Sequence, residues 1–416
     1  MKQKYFQIIS WIKYIKGTAL FLLTGGTMIV YQYGNYRLEL LDNDILITNN
    51  ETGAVKRIPL SDKDKSLGGI NIPLSNKCNM KCLYCSEADY MNGESEKTDT
   101  GFAFSVITAY MDYVNKKRKE IKKILLSFDF GGEPVLELDS MERIAGFFRE
   151  TCIKNGLVPT VRITTNAVWD TGLLPRVMEA ADDIIVSVDG YKEIYEKYRI
   201  HKNGMPVFER VIANAGELYR AKRLRQISCV VTEDSIEHYE KLTEFFIKEF
   251  PGITVKMSPV IYTGSAVMNG IKRIPVSEWK SFIKKVTEIA DGRIGIIDCM
   301  PGKAPDIKYL YGCGYMDMTS WFCRFDNKVA CCNGRDSDDY VIGIYKDKKL
   351  IMNEELMGRL YKDNNVLNID KCTSCIAKFY CAGGCPKFRG DKINCDRRKE
   401  KYAEILMRFV ESGPEF

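Results

Sequence analysis

Gly69-Ile-Asn-Ile-Pro-Leu-Ser-Asn-Lys-Cys78-Asn-Met-Lys-Cys82-Leu-Tyr-Cys85 decides the reading of this chain. A short apolar strand, Gly69 to Leu74, feeds a loop that carries three thiols. Three cysteines on one loop suit three corners of an iron–sulfur cubane and leave the fourth iron without a protein ligand. An open iron can take substrate, much as catalytic metal sites keep a free position. A zinc loop is the bland alternative. Zinc usually wants a fourth protein ligand, and neither of the two histidines, His201 and His238, lies nearby.

Outward from this loop, strand and helix patterns alternate. Expected strands are Ile124–Phe130, Thr160–Thr165, Ile184–Val188, Gln226–Val231 and Ile253–Pro259. Expected helices are Thr100–Lys119, Ser140–Lys154, Leu173–Ala181, Val207–Lys222, Ile236–Phe250 and Val276–Ala290. Units of about 30 residues, each a strand and a helix, predict parallel strands with crossovers. The fold class is α/β, a partial (β/α)6 TIM-like barrel. Chemistry in such barrels collects at the C-terminal strand ends. The cysteine loop, Gly131-Gly132 and Asp189 all follow expected strands.

The 416 residues, 45% hydrophobic, allow a large domain and smaller ones. The expected division is 1–69 (small N-terminal sheet), 70–295 (barrel) and 296–416 (cysteine-rich module, held by metal more than by an apolar core). The net charge of +6 is spread along the chain. The basic run Lys116-Lys117-Arg118-Lys119 falls on a helix and reads as a solvated face. No basic patch interleaved with aromatics argues for nucleic acid. The apolar run Thr18–Val30 is shorter than the ~18–20 residues that span a bilayer. It reads as a buried strand or helix rather than a signal peptide, so no membrane partner is expected. Residues 31–58 alternate as a small sheet, either a strand edge for a leader peptide or a cap on the barrel. Fifteen cysteines in a long chain with a core indicate metal ligation in a reducing, cytoplasmic compartment. Cys152 and Cys229 read as core packing. Cys299 is unassigned, and Ser412–Phe416 reads as a tail.

Cys-x3-Cys-x-aromatic-Cys, with Tyr84 as the aromatic, resembles the signature of radical S-adenosylmethionine (SAM) enzymes. That resemblance implies a 4Fe–4S cluster on Cys78, Cys82 and Cys85, whose open iron chelates SAM. Electron transfer then yields a 5′-deoxyadenosyl radical that abstracts a substrate hydrogen. Gly131-Gly132-Glu133-Pro134 resembles the family's Gly-Gly-Glu stretch, which contacts the SAM ammonium. Thr164-Thr165-Asn166 and Ser187-Val-Asp189-Gly190 resemble other strand-end stretches. The resemblance makes Gly131, Gly132, Glu133, Asn166, Ser187 and Arg199 cofactor-binding candidates, with Arg199 suited to the SAM carboxylate.

Cys372-x2-Cys375-x5-Cys381-x3-Cys385, followed by Cys395, resembles the SPASM extension of many such enzymes, as does Cys313-x13-Asn327-x4-Cys332. SPASM modules hold two auxiliary 4Fe–4S clusters, which makes three in all. The far one would take Cys372, Cys375, Cys381 and Cys395. The near one would take Cys313, Cys332 and Cys385, with Cys323 as the favoured fourth ligand. Cys331 and an open iron are the alternatives. Asn327 replaces a family glycine, and asparagine also tolerates a left-handed turn.

The resemblance implies a radical SAM peptide maturase. Its substrate would be a ribosomally made precursor peptide, cross-linked through thioether or carbon–carbon bonds, and its reductant a protein such as flavodoxin or ferredoxin. The first alternative is an anaerobic sulfatase-maturing, formylglycine-forming enzyme. That family has an aspartate base where this chain has Asn333, which cannot act as a carboxylate base. A non-catalytic iron–sulfur electron carrier is the alternative of another class, but it leaves Gly131–Pro134 and Ser187 without a role.

Overall fold

A computed structural model describes residues 18–411, except 24–25, 34, 42, 53, 89–93, 263, 299–306, 333–336, 387–388 and 390–391. Cys299, Asn333 and Ser412–Phe416 lie outside the described residues. The chain divides into two compact units, and neither is one continuous stretch. One comprises residues 66–301 and 319–353, the other 1–65, 302–318 and 354–416.

The 66–301/319–353 unit is α/β. Its strands β1 (Leu67–Asn71), β2 (Lys123–Phe128), β3 (Val158–Thr165), β4 (Asp183–Ser187), β5 (Leu224–Val231), β6 (Thr254–Pro259) and β7 (Gly295–Asp298) lie side by side in chain order. All are parallel. Each connection carries helix: α1 (Thr100–Lys117), α2 (Leu138–Lys154), α3 (Leu174–Ala180), α4 (Lys192–Tyr198) with α5 (Phe208–Arg220), α6 (Tyr239–Glu249) and α7 (Val276–Ala290). The repeat thus folds as its pattern predicts. Strand β7 is additional, and its four residues are too few to declare a period.

Burial along these strands alternates. Leu126, Phe128, Val161, Ile163, Val186, Cys229 and Met257 are buried on one face. The other face carries Asn71, Ser127, Arg162, Thr164, Ser187 and Lys256, from buried to fully exposed. A closed barrel fills its interior with branched apolar side chains. Here that face mixes these polar groups with partly buried Leu125, Ile185 and Val230, which suits a ligand chamber more than a core.

Beyond β1 the sheet continues through β8 (Ser320–Cys323), parallel to β1, then antiparallel β9 (Lys328–Ala330), β10 (Val341–Lys346) and β11 (Lys349–Met352). Asn327 turns β8 into β9 with φ +58, the left-handed geometry expected of it. Residues 319–353 therefore belong with the sheet, not with the cysteine-rich segment to which the sequence boundaries assigned them. Helix α1 secures this edge. Asp99 caps it by accepting from Phe102 N at 2.8 Å, and Tyr110 meets the Trp321 ring edge-on, with centroids 5.0 Å apart. Lys116 and Lys117 occupy its exposed last turn, as expected of a solvated face, but Arg118 of the same basic run is buried at the helix C-cap, its Nε donating to Glu120 Oε1 at 2.6 Å.

The other unit joins the two ends of the chain. Five antiparallel strands, Thr18–Leu23, Gly26–Tyr33, Tyr36–Leu40, Asp44–Asn49 and Val55–Pro59, form a meander. The described residues of the apolar run, 18–23 and 26–30, are thus strand. Leu38, Ile45, Ile47 and Ile58 share one buried cluster with Val366, Ile376, Tyr402 and Leu406. Tyr380 stacks on Tyr402 at 4.7 Å. Cys372, Cys375 and Cys381 pack against the same cluster. The cysteine-rich segment has an apolar core after all, and the N-terminal strands supply five of its fourteen buried residues. Periodicity alone cannot reveal a core assembled from residues more than 300 positions apart. Among the described residues, no helix is long and apolar enough to cross a membrane.

Replacing Ile47, fully buried in this cluster, by Ala should cost about 2–5 kcal/mol. Limited proteolysis should then cut first near residues 354–411, far from the substitution in sequence. Cleavage confined to residues 36–58 would show that the strands fold without their C-terminal partners.

Candidate active site

The run from β1 to Cys78 is held by the turn after β2. Gly132 N donates to Ser75 O at 2.7 Å and Glu133 N to Lys77 O at 2.8 Å. Gly131 has φ +91, favoured only by glycine. A Cβ on Gly132 would lie 1.8 Å from the Lys77 carbonyl oxygen. The glycines thus let backbone approach backbone and clamp the thiol loop.

Glu133 is buried at 3% exposure. Its carboxylate accepts from Thr165 Oγ1 at 2.6 Å, Asn166 N at 2.7 Å and Val135 N at 3.2 Å. Burial pushes its pKa up to about 7, against the pull of these donors. Glu133 therefore ties β2 to the end of β3. Asn166 sits at that end, and its Nδ2 donates to Asn79 Oδ1 at 2.8 Å and reaches Cys78 Sγ at 3.7 Å. Val168 N donates to Asn166 Oδ1 at 2.8 Å, fixing the amide. Asn166 thus contacts the cysteine loop directly.

Arg199 departs from the expectation that it faces SAM. Its Nε donates to Asp189 Oδ2 at 2.9 Å and its Nη2 to Asp189 Oδ1 at 3.1 Å, both residues being buried. Tyr84, the aromatic of the cysteine motif, donates its hydroxyl to the same Asp189 Oδ2. Val230 N donates to Oδ1 at 2.9 Å. A two-strand ribbon sets Arg199 opposite Cys82. A buried aspartate needs a cation, and Arg199 supplies it beneath the loop. Ser187 ends β4, half-buried on the polar face.

The structure brings Cys78, Cys82 and Cys85 within one another's electrostatic reach. Burial first, then Glu133 and the Cys82 charge, push Cys78 up to about 11. Burial pushes Cys82 and Cys85 up to about 11 as well, while Arg199 pulls both down. Among the described residues no group of three or more His, Cys, Asp or Glu side chains is gathered for a single metal ion. A three-thiol loop with a nearby guanidinium nonetheless fits an anionic cluster, which spreads its ligands over several irons. Thiols held protonated by burial would release protons on binding it.

Cys372, Cys375, Cys381 and Cys395 also sense one another. Burial raises Cys372, with Cys381 and Cys395 adding to the rise, and burial takes Cys375 to about 11. Arg398 Nη1 donates to Cys381 Sγ at 3.2 Å. Gly312 lies against Gly384, where a Cβ would meet Gly384 O at 2.5 Å. The adjacent residues Cys313 and Cys385 are thereby neighbours in one unit, while Cys332 belongs to the other.

Strand register speaks against Cys323 as a ligand. Trp321 pairs with Ile70 and Phe322 with Asn71, so Phe322 shares the polar face while Trp321 and Cys323 share the helix-covered face. Cys323 is fully buried, and burial alone lifts its pKa. Cys331 is also fully buried, whereas Cys332 is partly exposed. The favoured fourth ligand is thus a core thiol. Sequence spacing missed this because spacing carries no face. It also missed Asn79, which anchors Asn166, and Asp129, an acid on the polar face.

These features agree with a radical SAM fold. Residues 72–246 match the Radical SAM superfamily, and the chain is an enzyme that carries a radical SAM domain over those residues. It is similar to the Cysteine-type anaerobic sulfatase-maturating enzyme of Clostridium novyi (strain NT), 24% identical over 384 residues, covering 83% of this chain and 97% of that protein. The like-named protein of Clostridium perfringens (strain 13 / Type A) is 24% identical over 372 residues, covering 82% and 94%. Among solved structures, native anSMEcpe with bound AdoMet matches with a TM-score of 0.60 and 20% identity, over 84% of this chain and 100% of that one. Streptococcus suis SuiB bound to precursor peptide SuiA matches with a TM-score of 0.52 and 17% identity, over 77% and 72%. The structural likenesses establish a shared fold. The superfamily implies a 4Fe–4S cluster and SAM.

Gly132→Ala should displace the thiol loop and lower both iron content and 5′-deoxyadenosine formation after anaerobic reconstitution. Gly146→Ala, where a Cβ meets nothing within 4 Å, should leave both unchanged. A Gly132→Ala protein with full iron and full SAM cleavage would refute the clamp. Separately, Cys323→Ala should retain the wild-type iron content, whereas Cys332→Ala should lower it. Iron lost from Cys323→Ala alone would restore Cys323 as a ligand.

Proposed function

We propose that this enzyme oxidises a cysteine or serine side chain of a protein substrate to an aldehyde, as a sulfatase-maturing activity requires. One observation carries the reading: two relatives named for sulfatase maturation are matched over 97% and 94% of their own lengths. That shifts the weight from peptide cross-linking to what the sequence had as the alternative. A second reading, oxidative cross-linking of a precursor peptide, keeps support from the likeness to SuiB bound to its precursor.

When bound, the cluster and SAM supply an adenosyl radical that abstracts a hydrogen atom. The residues of this chain do the rest. Cys78, Cys82 and Cys85 hold the cluster, and Gly131 and Gly132 fix its loop. Asn166 donates toward Cys78, and Arg199 offsets negative charge beside Cys82. The polar strand ends, Ser187 among them, receive SAM and the substrate side chain. Cys372, Cys375, Cys381 and Cys395 would hold one auxiliary 4Fe–4S cluster. Cys313 and Cys385, neighbours within one unit, would contribute to a second. A reducing protein of the flavodoxin or ferredoxin class would supply electrons.

The test is to incubate the reduced enzyme with SAM and two peptides, one from a sulfatase active-site segment and one from a cysteine-bearing precursor. A hydrazide-reactive aldehyde on the sulfatase peptide is the expected product. Loss of two hydrogens without aldehyde, on the precursor only, would replace this reading with cross-linking.

A further inference from the structure

One acid on the polar face has no part in holding the cluster loop. Asp129 directly follows β2 and is half-buried. Thr164 Oγ1 donates to its Oδ1 at 2.8 Å, and Ser127 Oγ donates to its Oδ2. Asn71 Nδ2 donates to Ser127 Oγ at 3.1 Å. A carboxylate has about four acceptor positions, so these two hydroxyls fix its orientation and leave capacity for another donor.

A second observation points to a missing ligand at the same level of the sheet. Asn71 is 5% exposed, and its Oδ1 has no partner. Arg162 Nε is also buried without one. Both residues are register neighbours of Ser127. A buried polar atom left unpaired costs about 1–3 kcal/mol. An unfilled acceptor and an unfilled donor below a carboxylate, at the strand ends where such folds bind substrates, form an incomplete polar site.

We infer that Asp129 is the base that takes the proton of the substrate thiol or hydroxyl, with Ser127, Thr164 and Asn71 positioning it. This inference rests on the proposed oxidation. Converting a CH–SH or CH–OH group to C=S or C=O removes two hydrogens. The carbon-bound hydrogen leaves as an atom to the adenosyl radical. The thiol or hydroxyl hydrogen leaves as a proton to the Asp129 carboxylate, which becomes the neutral acid. The remaining electron goes to an oxidised iron–sulfur cluster, and the second bond to sulfur or oxygen forms. For cysteine, water then displaces the sulfur as hydrogen sulfide to give the aldehyde. Asn333 cannot accept that proton, so the chain needs a base elsewhere.

The experiment compares reconstituted wild type with Asp129→Asn, Asp129→Glu and Thr164→Val, measuring iron, SAM affinity, 5′-deoxyadenosine and oxidised peptide separately. Asp129→Asn should keep iron and SAM affinity and still release 5′-deoxyadenosine, while peptide oxidation falls roughly 100-fold or more. Asp129→Glu should recover part of that loss. Asp129→Asn with wild-type coupling of the two products overturns the inference. Loss of SAM affinity with intact iron does so too, since Asp129 would then serve the cofactor. If Asp129→Asn fails to hold iron, Thr164→Val decides. It should retain iron and uncouple the products partially, and unchanged coupling overturns the inference. A wild-type product other than an aldehyde sinks the proposed function, whereas the ratio of the two products in Asp129→Asn still judges Asp129.

Discussion

The backbone contact between Gly131-Gly132 and Ser75–Lys77 is the constraint on which the site depends. It joins the end of β2 to the loop that precedes Cys78, and no side chain fits between them. The buried hydrogen bonds of Glu133 then carry the same tie across to β3, where Asn166 meets Asn79 and Cys78. From the far side, the Asp189–Arg199 pair holds Tyr84 and the strand opposite Cys82. The cysteine loop is thus gripped at both ends by groups that carry no metal chemistry of their own. Removing one partner of such a buried pair strands the other charge, which costs about 3–5 kcal/mol.

Much of this was legible in the sequence. Strand and helix periods marked six of the seven parallel strands, because each crossover repeats the same buried and exposed alternation. The cysteine spacing marked the loop, and the Gly-Gly-Glu stretch marked the turn that grips it. Register was not legible. Whether Cys323 faces the polar side or the helix side depends on which residue of β1 it neighbours, and no local pattern states that. Arg199 illustrates the same limit. Its place near the site could be read, but its commitment to Asp189 follows from a ribbon pairing between segments more than 100 residues apart.

The domain division was legible only as a list of segments. The N-terminal strands alternate well enough to be recognised as a sheet, yet the residues that cover their buried face come from the last quarter of the chain. Conversely, the hairpin at 320–352 lies among cysteines in sequence but completes the edge of the α/β sheet. Polar chemistry explains part of the difference. The α/β unit gathers polar residues on one face of a single sheet, whereas the other unit packs Cys372, Cys375 and Cys381 against apolar side chains, and burial raises Cys372 and Cys375.

That the chain ends share one core has a consequence for biosynthesis. The meander strands at 36–58 leave the ribosome before Tyr402 and Leu406, which follow them by more than 340 residues. At ordinary synthesis rates the wait is roughly 20–70 s. During that interval the inner face of the meander is uncovered, and unpaired strand edges with apolar faces are prone to self-association. Shielding of that face by the ribosome surface or by chaperones would limit such association until Tyr402 and Leu406 arrive. Cys372, Cys375 and Cys381, which pack against the same core, reach their final surroundings only when that face is covered.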